Sequence, residues 1–279
     1  MNRLFKTATT ALTCAALLAG CSSSSASSAA ASSSSSSNTL RVGMECNYAP
    51  FNWSTTEQTD TSKPISSVDY CDGYDVVIAS KLAEEIGKDV EVVKLDWDNL
   101  ILSLNNNQID AIIAGMTNTE ERRKEVDFTE PYYQSEEVML VKKDGAYASA
   151  TSLKDFSGAN VQGQMNTIYD EVIDQIDGVN HLPAAETFPA AIQALQAGGV
   201  DGVTSELPVA NGVVAANPDL AIVRFAEGKG FVADTTVSIA VRKTDTELKD
   251  ALNAALAKIT VDERNQLMED AVNHQPASN

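Results

Sequence analysis

The chain has 279 residues, with 20 Lys+Arg against 39 Asp+Glu, a formal charge of −19 and 43% hydrophobic residues. The apolar share supports a substantial core in one large or two medium domains. The acidic balance excludes a protein that tracks nucleic-acid phosphates or anionic lipid through a basic face, and reads most simply as a solvated surface. The two histidines, His181 and His274, show no metal-ligand spacing, so neither a metal nor another cofactor is expected.

Residues 1–20 read as an export signal. Arg3 and Lys6 give a basic start, and the apolar stretch from Ala8 to Ala19 is too short to span a bilayer. Leu18-Ala19-Gly20-Cys21 resembles the lipobox of bacterial lipoproteins. The resemblance implies cleavage before Cys21, lipid such as palmitate on its sulfur, and a mature chain anchored outside the cytoplasm. The rest of residues 21–38 is almost pure Ser and Ala, which cannot bury enough surface to order itself. It is expected to be a flexible tether reaching about 20–25 Å, and such a tether suits a Gram-positive surface. No later stretch has 18 consecutive apolar residues, so the lipid is the expected membrane contact. With Cys14 removed and Cys21 lipidated, Cys46 and Cys71 remain as an even pair in an oxidising compartment. A disulfide between them is expected, two free thiols being the alternative.

From Leu40 onward strand-like and helix-like runs alternate, the pattern of an α/β sheet. Leu40 to Met44, Val90 to Leu95, Ile109 to Ala114 and Val138 to Val141 read as strands. Ile78, Leu82 and Ile86 mark one face of a helix from Tyr74 to Ile86, with Gly87 as its stop. Trp97 to Leu104 reads as a helix with Asp96 or Asp98 as N-cap. Leu248, Ala251, Leu252, Ala255, Leu256 and Ile259 form the stripe of a further helix.

An internal echo organises the chain. Trp97 to Ile113 (WDNLILSLNNNQIDAII) lines up with Phe188 to Thr204 (FPAAIQALQAGGVDGVT) at a constant offset of 91. Each has an aromatic, a helix with Leu at one offset, a polar turn and an Asp opening a strand. Two similarly built lobes follow, and ligands of open α/β sheets sit beyond the carboxyl ends of strands. Those positions hold Ala114-Gly115-Met116-Thr117 in the first unit and Ser205-Glu206 in the second.

The first loop continues through Thr119, Glu120 and Glu121, which look like a helix start, to Arg122, whose planar fork suits a carboxylate. Glu206 offers an acceptor for a positive group. A guanidinium from one lobe and a carboxylate from the other complement a zwitterion such as an amino acid. Glu45 to Trp53, directly after the first strand, adds the aromatics Tyr48 and Phe51, which can wall a pocket or cap a core. No nucleophile–base arrangement accompanies them, so the chain is not expected to be an enzyme.

Tyr48-Ala49-Pro50-Phe51, Gly73-Tyr74-Asp75, Ile109-Asp110-Ala111-Ile112, Ala114-Gly115-Met116-Thr117, Arg122 and the run from Val126 to Tyr133 occur in family order. Together, from about Leu40 to about Ile259, they resemble the extracellular solute-binding proteins of family 3, the amino-acid-binding components of ABC importers. The resemblance implies a two-lobed, type II periplasmic-binding-protein-like α/β fold with two crossover strands. Residues 39–137 with 233–279 would form lobe 1, and residues 138–232 lobe 2. It further implies that Arg122 pairs with the ligand carboxylate and that Thr117 and the Gly115 carbonyl contact its carboxylate or ammonium. Tyr48 and Trp97 would sandwich the ligand side chain, with Phe51 and Met116 beside them. Glu45 would face that side chain, favouring a polar or basic one, Thr167 would offer a hydroxyl to the carboxylate, and Glu206 would take the ammonium.

The implied protein is a lipid-anchored monomer that closes on an amino acid and hands it to a permease. Two other readings stay open: a dehydratase-type enzyme on the same scaffold, with Glu45 or Glu206 as general acid, and an amino-acid sensor without transport. The chain departs from the family at Asn166, where Gly is usual, at Tyr169, where Gln is usual, at Asn118, and in a long loop from Ser54 to Ser67.

Overall fold

The computed structural model describes residues 38–276. The export signal, the lipidation site Cys21 and all but the last residue of the expected tether therefore lie outside the described residues.

Two five-stranded sheets share one strand plan. In the first the order is Asp89–Lys94, Thr39–Met44, Ala111–Ile112, Thr236–Val241, Asp127–Gln134. Its first three strands are parallel, and Thr236–Val241 runs antiparallel to both neighbours. In the second the order is Asn180–His181, Asn160–Gln162, Gly202–Glu206, Glu137–Lys142, Leu220–Val223, again three parallel strands followed by an antiparallel one. The chain leaves the first sheet at Gln134 and enters the second at Glu137. It returns between Val223 and Thr236 without a regular strand.

Both sheets are covered on both faces, which explains their nearly unbroken apolar strands. Leu40, Val42, Met44, Val237, Ile239 and Val241 pack on the side of helices Tyr74–Glu85 and Thr246–Leu256. Ile112 and Ala240 point the other way, against Leu100 and Leu104. In the second sheet Val138 and Leu140 face one side, Met139 and Val141 the other. The period of two is what divides each strand between two cores.

The echoed units are the helix and third strand of each sheet, and their Asp residues do the same work. The Asp110 carboxylate accepts the backbone N–H of Arg41 at 3.0 Å, and that of Asp201 accepts the N–H of Asn160 at 2.9 Å. Each Asp thereby pins its strand to the neighbouring second strand of its sheet.

Local details differ from the sequence expectations. Trp97–Asn99 is a 3₁₀ turn leading into an α-helix at Leu100–Asn105, and neither Asp96 nor Asp98 caps it with its side chain. The helix at Thr246 ends at Leu256, leaving Ile259 in the turn before a final helix, Val261–His274, that the sequence reading did not separate. The Ser54–Ser67 insertion folds onto a small sheet through Lys63–Pro64 and ties to Asp72 through the Thr59 and Thr61 hydroxyls at 2.6 and 2.8 Å. Cys46 and Cys71 are bonded there, with Cα atoms 5.7 Å apart.

Candidate functional site

The carboxyl ends of the parallel strands of both sheets meet at a cleft. Glu45, Tyr48, Trp97, Ala114, Gly115, Thr117 and Arg122 line it from the first lobe, and Gln164, Thr167, Ile168 and Tyr169 from the second. Seven of the ten expected ligand residues thus meet around one cavity. Its volume is about 20 Å³, room for roughly one water, so an amino acid enters only if lobes or side chains move.

The other three expected residues lie elsewhere. Phe51 is fully buried behind Tyr48, stacked on it at 5.6 Å, and serves as the floor beneath a lining ring. Met116 packs among Leu100, Leu104 and Phe128 and borders a neighbouring outer cavity that also touches Trp97 and Arg122. Glu206 is fully buried behind Tyr48, whose hydroxyl donates to its Oε1 at 2.6 Å while the Ser135 hydroxyl donates to Oε2 at 2.6 Å.

Local folding explains these placements. The Thr119 hydroxyl accepts the Arg122 N–H at 3.2 Å, starting a one-turn helix, Arg122–Glu125, whose first side chain turns back into the cleft. The guanidinium donates to the carbonyls of Thr117 at 2.8 Å and Asn166 at 2.9 Å, and lies 5.1 Å from the centre of the Trp97 ring system. Among the described residues no carboxylate comes within ion-pair distance of it. Burial pulls its pKa down, against the more distant carboxylates of Glu171 and Glu121.

Gly115 adopts a positive φ of 61°. A Cβ there would only touch the Tyr48 and Phe51 rings, at 3.4 Å, so it is the backbone conformation that calls for glycine. Its N–H donates to the Tyr132 hydroxyl, which donates to the fully buried Asp75 at 2.7 Å. Asp75 also accepts from Asn52 at 2.7 Å. Burial nevertheless pushes the Asp75 carboxyl up to about 7, the hydrogen bonds from Tyr132 and Asn52 opposing it. This relay fixes the cleft loop from behind. Sequence reasoning recorded Asp75 only as part of a motif, because nothing local shows that a helix-start Asp will be swallowed.

Glu45 is 7% exposed and its Oε2 faces the Gln164 amide at 3.5 Å. Burial raises its pKa, with Gln164 opposing and the Asp96 and Asp98 charges adding to the rise. Burial likewise raises the Glu206 carboxyl, despite donors at Ser135 and Tyr48.

The departures from the family find partners. Asn166 sits at a positive φ of 58°, a conformation Asn tolerates better than most side chains. It spans the cleft: its carbonyl accepts from Trp97 Nε1 at 3.1 Å and from Arg122, and its amide donates to Asp98 at 2.7 Å. Asn118 accepts from Arg123 at 2.7 Å through its side chain. Tyr169 fills the wall beside Glu206, its buried hydroxyl lacking a regular hydrogen bond. Phe188, opening the second echoed helix, meets Tyr48 edge-on at 5.6 Å and carries the apolar contact from lobe to lobe.

Comparison with known proteins gives the family and the fold. Residues 40–271 match the sequence model of the bacterial extracellular solute-binding proteins, family 3. The arginine-binding extracellular protein ArtP of Bacillus subtilis (strain 168) is 30% identical over 79% of this chain and 80% of its own. The ABC transporter glutamine-binding protein GlnH of the same organism is 29% identical over 95% and 94%. Among solved structures, the substrate-binding protein AbpA from Streptococcus pneumoniae bound to L-arginine superposes with a TM-score of 0.72 at 28% identity. That match covers 85% of this chain and 95% of AbpA.

Proposed function

Because this chain belongs to the bacterial extracellular solute-binding proteins of family 3, we propose that it captures an α-amino acid between its lobes and delivers it to the permease of an ABC importer. The observation that carries the reading is a pair of opposite charges contributed by opposite lobes, each without an ionic partner among the described residues. Arg122 is held only by carbonyls and an indole, and Glu206 only by hydroxyls. A zwitterion satisfies both at once: its carboxylate on the Arg122 fork, with the Thr117 and Thr167 hydroxyls alongside, and its ammonium on Glu206 in place of the Tyr48 proton.

Glu45 sets the preference for the side chain. A buried carboxylate beside Asp96 and Asp98 favours a cationic or amide group and repels an acidic one. The ligands for which these relatives are named, arginine and glutamine, support the same class. Tyr48 and Trp97 would flank the side chain. Lobe closure rather than bond chemistry is the working step, driven by the ligand's higher affinity for the closed form. An extracytoplasmic location suits the family, and lipid on Cys21 would keep the protein near its permease.

A thermal-shift screen against the twenty amino acids tests the reading. A ligand at a thousand times its Kd stabilises by about 4 kcal/mol and raises Tm by on the order of 10 °C in a chain of this size. The expected result is a shift of that order for basic or amide side chains and none for Asp or Glu. No shift with any amino acid, before or after unfolding and refolding to strip bound ligand, overturns the reading.

A further inference from the structure

The Glu206 carboxylate has a neighbour that sequence reasoning passed over. Glu137 lies directly opposite Glu206 in the antiparallel pairing of Gly202–Glu206 with Glu137–Lys142. Residues so paired project from one face of a sheet, with Cβ atoms about 5 Å apart. Glu206 is fully buried. The Oε1 atom of Glu137 is buried too, without a hydrogen bond. Glu137 as a whole is half-buried, so a carboxylate wholly out of water has a second, partly withdrawn one beside it.

The groups around them are hydroxyls and further carboxylates. Tyr169, from the short helix Ile168–Glu171, faces both carboxylates; Tyr48 and the buried Asp75 face Glu206 from the first lobe, and Tyr133 and Ser135 face it from the outgoing crossing. On the hinge side Glu137 borders a cavity of about 350 Å³ together with Glu136 and Glu227. The nearby Arg224 is committed to Glu136. Among the described residues no Lys or Arg lies within ion-pair distance of Glu137 or Glu206. A fully buried carboxylate and a half-buried one beside it, without a cation, cannot both stay ionised at modest cost.

We propose that Glu137 is a second carboxyl at the ammonium end of the cleft, that it and Glu206 hold one proton between them, and that a cationic group arriving at Glu206 expels that proton to solvent. The proposal rests on the amino-acid-binding reading for its ligand step only. Burial and the Glu206 charge support it by pushing the Glu137 carboxyl up to about 7. Glu137 then acts as a positioning residue: it sets the protonation of Glu206, and so makes capture proton-linked near neutral pH.

Calorimetric titration with L-arginine at pH 7, in phosphate and in Tris, counts the protons released from the difference in buffer ionisation heat. The wild type should release about half a proton or more, since a carboxyl at about 7 is half-occupied there. Glu137→Gln should release clearly less, and any proton expelled from Glu45 cancels in the comparison. Equal release from the two proteins overturns the proposal. A ligand-free arm separates this failure from failure of the binding reading. A carboxyl raised in the folded state makes stability fall as pH rises from about 4.5 to 7. Glu137→Gln should flatten that fall and melt several degrees above wild type at pH 8, with matching melts at pH 5 showing that it folds. Absence of arginine heat in the wild type would count against the binding reading, and the ligand-free arm would still decide the shared proton. Parallel pH profiles of the two proteins overturn it.

Discussion

The two echoed units, Trp97 to Ile113 and Phe188 to Thr204, build the same scaffold and end in opposite chemistry. In both, a helix leads to an Asp that pins the third strand to the second. Beyond the first unit the chain turns through Gly115 and Thr117 and delivers a cation, Arg122, from a one-turn helix. Beyond the second it delivers an anion, Glu206, at the end of the strand itself. The repeated Asp residues hold the sheets together, and the charges that follow each third strand do not repeat. In a duplicated architecture the symmetric positions are the first place to look for stability, and the asymmetric ones for recognition.

Substitutions that separate the two classes sharpen this contrast. The largest effect belongs to an asymmetric position: Arg122→Ala should cost the amino acid about 3 kcal/mol or more of binding, a hundredfold or greater rise in Kd by calorimetry. Melting of the ligand-free variant should stay near wild type.

At the symmetric positions the order reverses, with stability affected and affinity spared. Asp110 accepts from the Arg41 N–H, from its Nε and Nη2 at 3.0 and 2.7 Å, and more weakly from Arg242. Asp110→Ala should therefore lose about 2–3 kcal/mol in urea unfolding. Burial works to raise the Asp110 pKa, but the hydrogen bonds and charge of Arg41 prevail and hold it below the usual carboxylate range. Its stabilisation is accordingly complete above the unfolded value of about 4 and fades as pH falls below it. Urea series at pH 7 and pH 3 should show the gap between wild type and variant shrinking. Asp201→Ala breaks one backbone contact and should lose about 1 kcal/mol.

The smallest effect is expected at Asn166. Asn166→Gly keeps the positive φ and the carbonyl but deletes the bond to Asp98, which joins the lobes without touching the cavity. Affinity should fall a few-fold, about 0.5–1 kcal/mol, and Asp98→Ala should match it. A larger loss from Asn166→Gly than from Asp98→Ala would move the role from the amide to the backbone.

Much of the fold was legible because its signals are local. β-branched runs marked the parallel strands, and the offset of 91 paired the units before any contact was known. The final helix, Val261–His274, escaped because it is polar, with only Met268 and Ala271 deeply buried. Within the site, Arg122 and Gly115 were visible as residue types that suit a strand-end loop. Glu137 was not, since its meaning depends on strand register. Nor was the capture of Glu206 by the Tyr48 hydroxyl, which needs both lobes placed. The departure at Asn166 was visible as a residue but not as a clasp, because its partners lie 68 and 69 positions away.

The central claim, that opposite charges from the two lobes recognise a zwitterion, is tested most directly by calorimetry of the best ligand from the screen beside its decarboxylated analogue. If Arg122 holds the carboxylate, the analogue should bind at least a hundredfold more weakly to wild type. In Arg122→Ala that gap should nearly vanish. An analogue that binds the wild type as tightly as the amino acid would contradict the account.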